Sequence, residues 1–142
     1  MVFVSNVEFF EDITRLLEGG QTVTFRTKGR SMVPFIVGGR DSVTLRRACG
    51  QIGVGDIVLA RLQGGRYVLH RVYRKAGNVL TLMGDGNLKA TEECRQSDVV
   101  GVVTHIVRNG RTVDCTSAAE RRRATLWRKL VAVRRVVIRL FN

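Results

Sequence analysis

Between residues 22 and 114 the chain alternates short, β-branched apolar runs with glycine-rich corners, and no other feature restricts its fold so tightly. The runs span 22–26, 42–46, 57–62, 67–73, 79–83, 99–107 and 112–114, each with the length and composition of a strand. The corners include Gly38-Gly39-Arg40-Asp41, Gly53-Val54-Gly55-Asp56, Gly64-Gly65 and Ala76-Gly77-Asn78. Asn109-Gly110 is a hairpin signal. Fifteen glycines and one proline suit a sheet with tight corners better than a helical bundle. The expected fold is mainly β: a coiled antiparallel sheet or partial barrel.

A helix is expected at each end. Over about 5–18, Ser5 and Glu8 have capping-box spacing. Val7, Phe10, Ile13 and Leu17 share a face flanked by Phe9 and Leu16, and Gly19-Gly20 supplies the stop. The second helix begins near Ser117, with Glu120 at capping-box spacing. Leu126, Leu130, Val133, Val137 and Leu140 recur at helical intervals, interleaved with Arg128, Lys129, Arg134, Arg135 and Arg139. Two units follow: a domain over 1–116 and a basic amphipathic helix over 117–142.

Charge sharpens that division. Residues 117–142 carry eight Lys/Arg against one Glu, a net of +7, while residues 1–116 carry 16 against 11, a net of +5. Such a tail favours an anionic surface. A membrane surface is the first expectation, a packed or partner helix the second, and nucleic acid the last. No run of about 18 uncharged apolar residues exists, so no conventional transmembrane helix is expected. The N-terminus lacks a basic segment followed by a long apolar core, so it does not resemble a signal peptide. Three cysteines, Cys49, Cys94 and Cys115, have no C-x-x-C spacing, and reduced structural thiols are expected. These features place the chain in the cytoplasm or at a membrane periphery. No motif calls for a metal or a cofactor.

The stretch 29–36, Gly-Arg-Ser-Met-Val-Pro-Phe-Ile, contains the only proline. On composition alone it is a turn. A serine hydroxyl becomes a nucleophile only with a base beside it and donors for the developing oxyanion. The chain has two histidines, His70 and His105. Alternation puts His70 on the face of its run that carries Val68 and Val72, a buried or half-buried face.

Four segments in order resemble the type I signal peptidase family, within the serine-peptidase group that includes LexA-type repressors. Gly29-Arg30-Ser31-Met32-Val33-Pro34 is similar to the G-x-S-M-x-P box, and Gly55-Asp56-Ile57-Val58 to the G-D-[IV]-V segment. Leu69-His70-Arg71-Val72 falls at the base position, and Gly84-Asp85-Gly86-Asn87 resembles the G-D-x-N turn. Gly101-Val102-Val103 resembles the closing strand. The resemblance implies a signal peptidase/LexA-like β scaffold, a Ser31 nucleophile, and the Ser31 backbone N–H as an oxyanion donor. Bacterial housekeeping members carry lysine where this chain has His70. Histidine there is similar to the endoplasmic-reticulum and archaeal type, which makes His70 the implied general base; imidazole titrates near neutrality. The third member stays open among Asp85, Glu92 and Glu93, with Asp85 put forward first. His105 lies outside these boxes and is expected to be structural or exposed.

The implied function is a serine endopeptidase cleaving leader or signal segments, with a peptide or preprotein as substrate and small residues before the cut. The alternatives are a non-catalytic or self-cleaving relative that binds membrane or nucleic acid through its tail. Only 30 residues precede Ser31, few for a DNA-binding domain, and the Cys49-Gly50 dipeptide lies after the serine.

Overall fold

The computed structural model describes residues 3–86, 90–129 and 136–141. Its strands are β1 (Val23–Arg26), β2 (Ser42–Arg47), β3 (Ile57–Arg61), β4 (Tyr67–Ala76), β5 (Val79–Met83), β6 (Glu92–Arg95), β7 (Val99–Arg108) and β8 (Arg111–Asp114). They form one sheet in the order β1-β2-β7-β3-β4-β5-β6, with β8 hydrogen-bonded to β7. Every pairing is antiparallel. Register breaks at Thr44/Leu45, Leu59/Ala60 and Val72/Arg74 add local twist, as bulges do. The result is a curled antiparallel half-barrel with helices α1 (Phe3–Glu18) and α2 (Ala118–Lys129) beside it.

Both faces of the sheet bury apolar side chains. Val58, Ala60, Val68, Val72, Leu80 and Leu82 belong to one core, and Leu17, Val43, Leu45, Ile57, Leu59 and Ile106 to the other. Alternation along β3 sends successive residues into different cores, which is why Ile57 through Ala60 are all buried. Gly101 lets α1 close on the sheet: a Cβ there would lie 2.8 Å from Leu17 Cδ1. Asn109 and Gly110 both have positive φ, at 51° and 76°, and turn β7 into β8 as the Asn-Gly signal implied.

Three local features depart from the sequence pattern. Helix α1 begins at Phe3, so Ser5 lies inside it instead of capping it. Strand β6 has only Cys94 as an apolar residue and took its place through pairing with β5. Arg71 shares its strand face with Tyr67, Leu69 and Tyr73, yet is only 6% exposed.

At α2, Ser117 Oγ accepts the Glu120 N–H, and Ala124 and Trp127 are buried. Residues 136–139 are helical, with Val136 and Leu140 exposed. The stripe positions Leu130 and Val133, with Arg134 and Arg135, lie outside the described residues. Among the described residues no helix is long and apolar enough to cross a membrane. All three cysteines are free; burial pushes the Cys94 and Cys115 thiols up to about 11, and Cys49 is exposed.

The β1–β2 connection, which carries Ser31, is tied at its neck. Thr27 donates from its N–H and its hydroxyl to the Asp41 carbonyl, and Gly39 donates to the Thr27 carbonyl. The fully buried Asp41 carboxylate accepts from the Val37 N–H at 2.8 Å and from two Arg40 nitrogens at 2.7 and 3.0 Å. Burial raises the Asp41 pKa, but these donors outweigh it and hold the carboxyl below its ordinary value. A carboxyl depressed in the folded state stabilises fully above its unfolded pKa, about 3.9, and loses that contribution as pH falls through the folded value. Wild type is therefore expected to be more stable than Asp41→Asn at neutral pH. The gap in urea midpoint should close below about pH 4.

Candidate active site

Ser31 opens a helical turn in which Val33 N–H donates to the Arg30 carbonyl and Ile36 N–H to the Met32 carbonyl. Met32, Val33 and Ile36 are buried beneath it, and the Val33–Pro34 peptide is cis. Ser31 itself is exposed. Among the described residues neither its N–H nor its hydroxyl has a hydrogen-bond partner.

The glycines of the 84–86 turn clamp this loop from the other side. A Cβ at Gly84 would strike the Ser31 carbonyl oxygen, and one at Gly86 would lie 2.6 Å from the Arg30 carbonyl. Gly86 N–H donates to the Ser31 carbonyl at 2.7 Å. Asp85 N–H donates to Met32 Sδ at 3.4 Å. Glycine is required at 84 and 86 because two backbones approach within side-chain distance. Asn87 lies outside the described residues.

His70 sits on β4, on the face of Val68 and Val72, and is 8% exposed. Strand β5 pairs with β4 only as far as Arg71↔Met83, one position short of His70. The imidazole reaches past the end of β5 to β6, where Nδ1 lies 2.7 Å from Glu92 Oε1. With Glu92 ionised, Nδ1 carries the proton and donates it, which leaves Nε2 as the acceptor nitrogen. Ser31 and His70 line the same cleft, about 250 Å³ in volume. Among the described residues no hydrogen bond joins them.

The three candidate acids occupy different environments. Glu92 faces His70. Glu93 is the next residue on β6, points to the other face and is exposed. Asp85 is turned to Arg71, which donates from Nε and Nη2 to the two carboxylate oxygens, each at 2.8 Å. The pair is dry, with 7% and 3% of the side chains exposed. Burial disfavours the Arg71 charge, but Asp85 outweighs it, and the guanidinium pKa stands above its ordinary value. The Asp85 carboxylate thus meets Arg71, and Glu92 is the candidate carboxylate within hydrogen-bond distance of His70. Period-two alternation could have singled out Glu92, because it shares a face of β6 with the buried Cys94.

Arg71 has two further contacts. Its Nη1 donates to the Gly55 carbonyl at 2.8 Å, and its guanidinium lies 4.9 Å from the Phe35 ring centroid. Trp127 of α2 donates from Nε1 to the Asp85 carbonyl at 2.9 Å and packs edge-on against Phe35. Neither role was evident from sequence. His105 is half-buried, with Nδ1 2.9 Å from Thr104 Oγ1. Cys49-Gly50 lies on the β2–β3 connection and does not line the cleft.

A family model described as Peptidase S24-like matches residues 3–104. That span takes in α1, the Ser31 loop, β4 and the 84–86 turn. No curated protein matches the chain.

The two carboxylates should separate on mutation. Asp85→Ala leaves Arg71 charged and buried, and is expected to cost about 3–5 kcal/mol in a urea titration. Glu92→Gln keeps the volume and the half-buried site, and its stability loss should stay within about 1 kcal/mol.

Proposed function

The chain belongs to the Peptidase S24-like family, and from that premise we propose that it is a serine endopeptidase with Ser31 as nucleophile, His70 as general base and Glu92 as the group that orients His70. The family supports protease-like chemistry on a peptide or protein substrate. One observation carries the finer assignment: His70 and Ser31 line the same cleft, while His70 Nδ1 lies 2.7 Å from Glu92 Oε1.

The substrate lies extended along β4. Among the described residues, 67–70 pair with β3 on one side only, because the β4–β5 pairing ends at Arg71↔Met83. Their other edge can take a peptide by strand addition. Ser31 Oγ attacks the scissile carbonyl and His70 Nε2 takes its proton. Glu92 holds the imidazole in the required tautomer and stabilises the imidazolium. The unpartnered Ser31 N–H donates to the oxyanion. His70 then protonates the leaving amine, and a water activated by the same nitrogen releases the acyl group from Ser31. The absence of a Ser31–His70 hydrogen bond fits a resting site that tightens on substrate.

With purified protein and a panel of leader-type peptides, Ser31→Ala should abolish cleavage, with kcat falling on the order of 10⁴-fold or more. His70→Ala should match it. Cleavage undiminished in Ser31→Ala would sink the proposal.

The basic C-terminal stretch supports a peripheral location on an anionic membrane. Leu126, Val136 and Leu140 are 57%, 58% and 79% exposed, amid exposed Arg121, Arg122, Arg123, Lys129 and Arg139. Apolar side chains beside cations suit the lipid interface. The protein should float with phosphatidylglycerol vesicles, not with phosphatidylcholine ones, and should be released by salt. Failure to float with either composition removes the membrane from the proposal.

A further inference from the structure

The cleft that holds Ser31 and His70 extends to a cluster of four rings. Phe9 and Phe10 come from α1, Phe25 from β1 and Tyr67 from β4. Phe9, Phe10 and Phe25 meet edge-to-face with centroids 5.4–5.8 Å apart, and Phe10 lies tilted against Tyr67 at 5.4 Å. The two helical rings are held from below: Ile13 and Leu17, one and two turns on, are buried against the sheet. Phe9 remains 41% exposed. The ring cluster is thus a rigid apolar wall that still faces solvent, and it adjoins the nucleophile.

The Lys and Arg side chains that line the cleft are met there by no carboxylate of the lining. Arg26 and Lys28 line the cleft, and Arg30 precedes Ser31. All three are exposed, none forms an ion pair among the described residues, and no carboxylate lines the cleft.

Resting on the peptidase reading, we propose that this cleft selects peptides with a large apolar side chain, aromatic or branched aliphatic, close to the scissile bond and with acidic residues beside it. A large side chain lying against the cleft-facing side of the rings gains their dispersion contacts, whereas a small one leaves the wall without partner atoms. Preformed aromatic walls gain area with little loss of side-chain freedom. The cationic rim draws carboxylates and penalises a basic neighbour. This specificity differs from the small-residue preference that the signal peptidase resemblance implied.

The test is a set of fluorescein-labelled octapeptides in which one position holds Ala, Leu or Phe, moved stepwise along the sequence, flanked by Glu or by Lys. Affinity is read by anisotropy on Ser31→Ala protein, and cleavage by mass spectrometry on wild type. At one register, Leu or Phe peptides flanked by Glu should bind at least tenfold more tightly than Ala peptides flanked by Lys. Phe9→Ala should erase most of the Leu/Phe advantage and Phe9→Leu should restore part of it. Arg26→Glu should erase the Glu advantage. Equal affinity across the set, no binding at all, or discrimination unaffected by Phe9→Ala overturns the proposal. Wild-type cleavage without discrimination overturns it while sparing the peptidase reading. Discrimination without cleavage does the reverse.

Discussion

A dry ion pair, Arg71 with Asp85, holds the candidate site together. Its geometry is the two-pronged match of guanidinium to carboxylate, which is strong only when both partners are fully satisfied. Asp85 takes two of those donors, the Gly55 carbonyl takes a third, and the Phe35 ring stacks under the charge. Four separated stretches of chain therefore meet at one side chain. The turn that Asp85 belongs to holds the Ser31 loop through Gly84 and Gly86, so the position of the serine depends on a charge pair that never touches it.

Position on the sheet gives the two carboxylates different partners. Asp85 lies beyond the end of β5 and is sealed against Arg71. Glu92 begins β6, half-buried, where only the shortness of β5 lets an imidazole on β4 reach it. The same shortness frees the edge of residues 67–70. Helix α2 adds a third support, because Trp127 closes on the Asp85 carbonyl and on Phe35. That part of the basic stretch belongs to the framework of the site, and it leaves Leu126 and the cationic face to other surfaces.

Much of this was legible in residue order. Alternation marked the strands around Val43, Val58, Val72 and Val102, the Asn-Gly turn marked the β7–β8 hairpin, and His70 fell on the buried face that Val68 and Val72 implied. Strand β6 escaped notice because Glu-Glu-Cys-Arg carries almost no apolar signal; its partner strand decides it. Ser5 looked like a cap because spacing alone cannot show that α1 has already begun at Phe3. Asp85 stood out because it lies in a conspicuous turn, and a sequence does not show that its carboxylate meets Arg71.

The sequence by itself determined the curled antiparallel sheet, the glycine corners, the buried face on which His70 lies, and the concentration of charge near the C-terminus. These depend on local rules: the period of two in a strand and the conformational freedom of glycine. Only the tertiary structure decided which acid faces His70, why Arg71 is buried, and that aromatic rings from α1, β1 and β4 share a cleft with the serine. Those outcomes depend on pairings across long stretches of chain, where register and close backbone approach choose among residues that look equivalent in sequence.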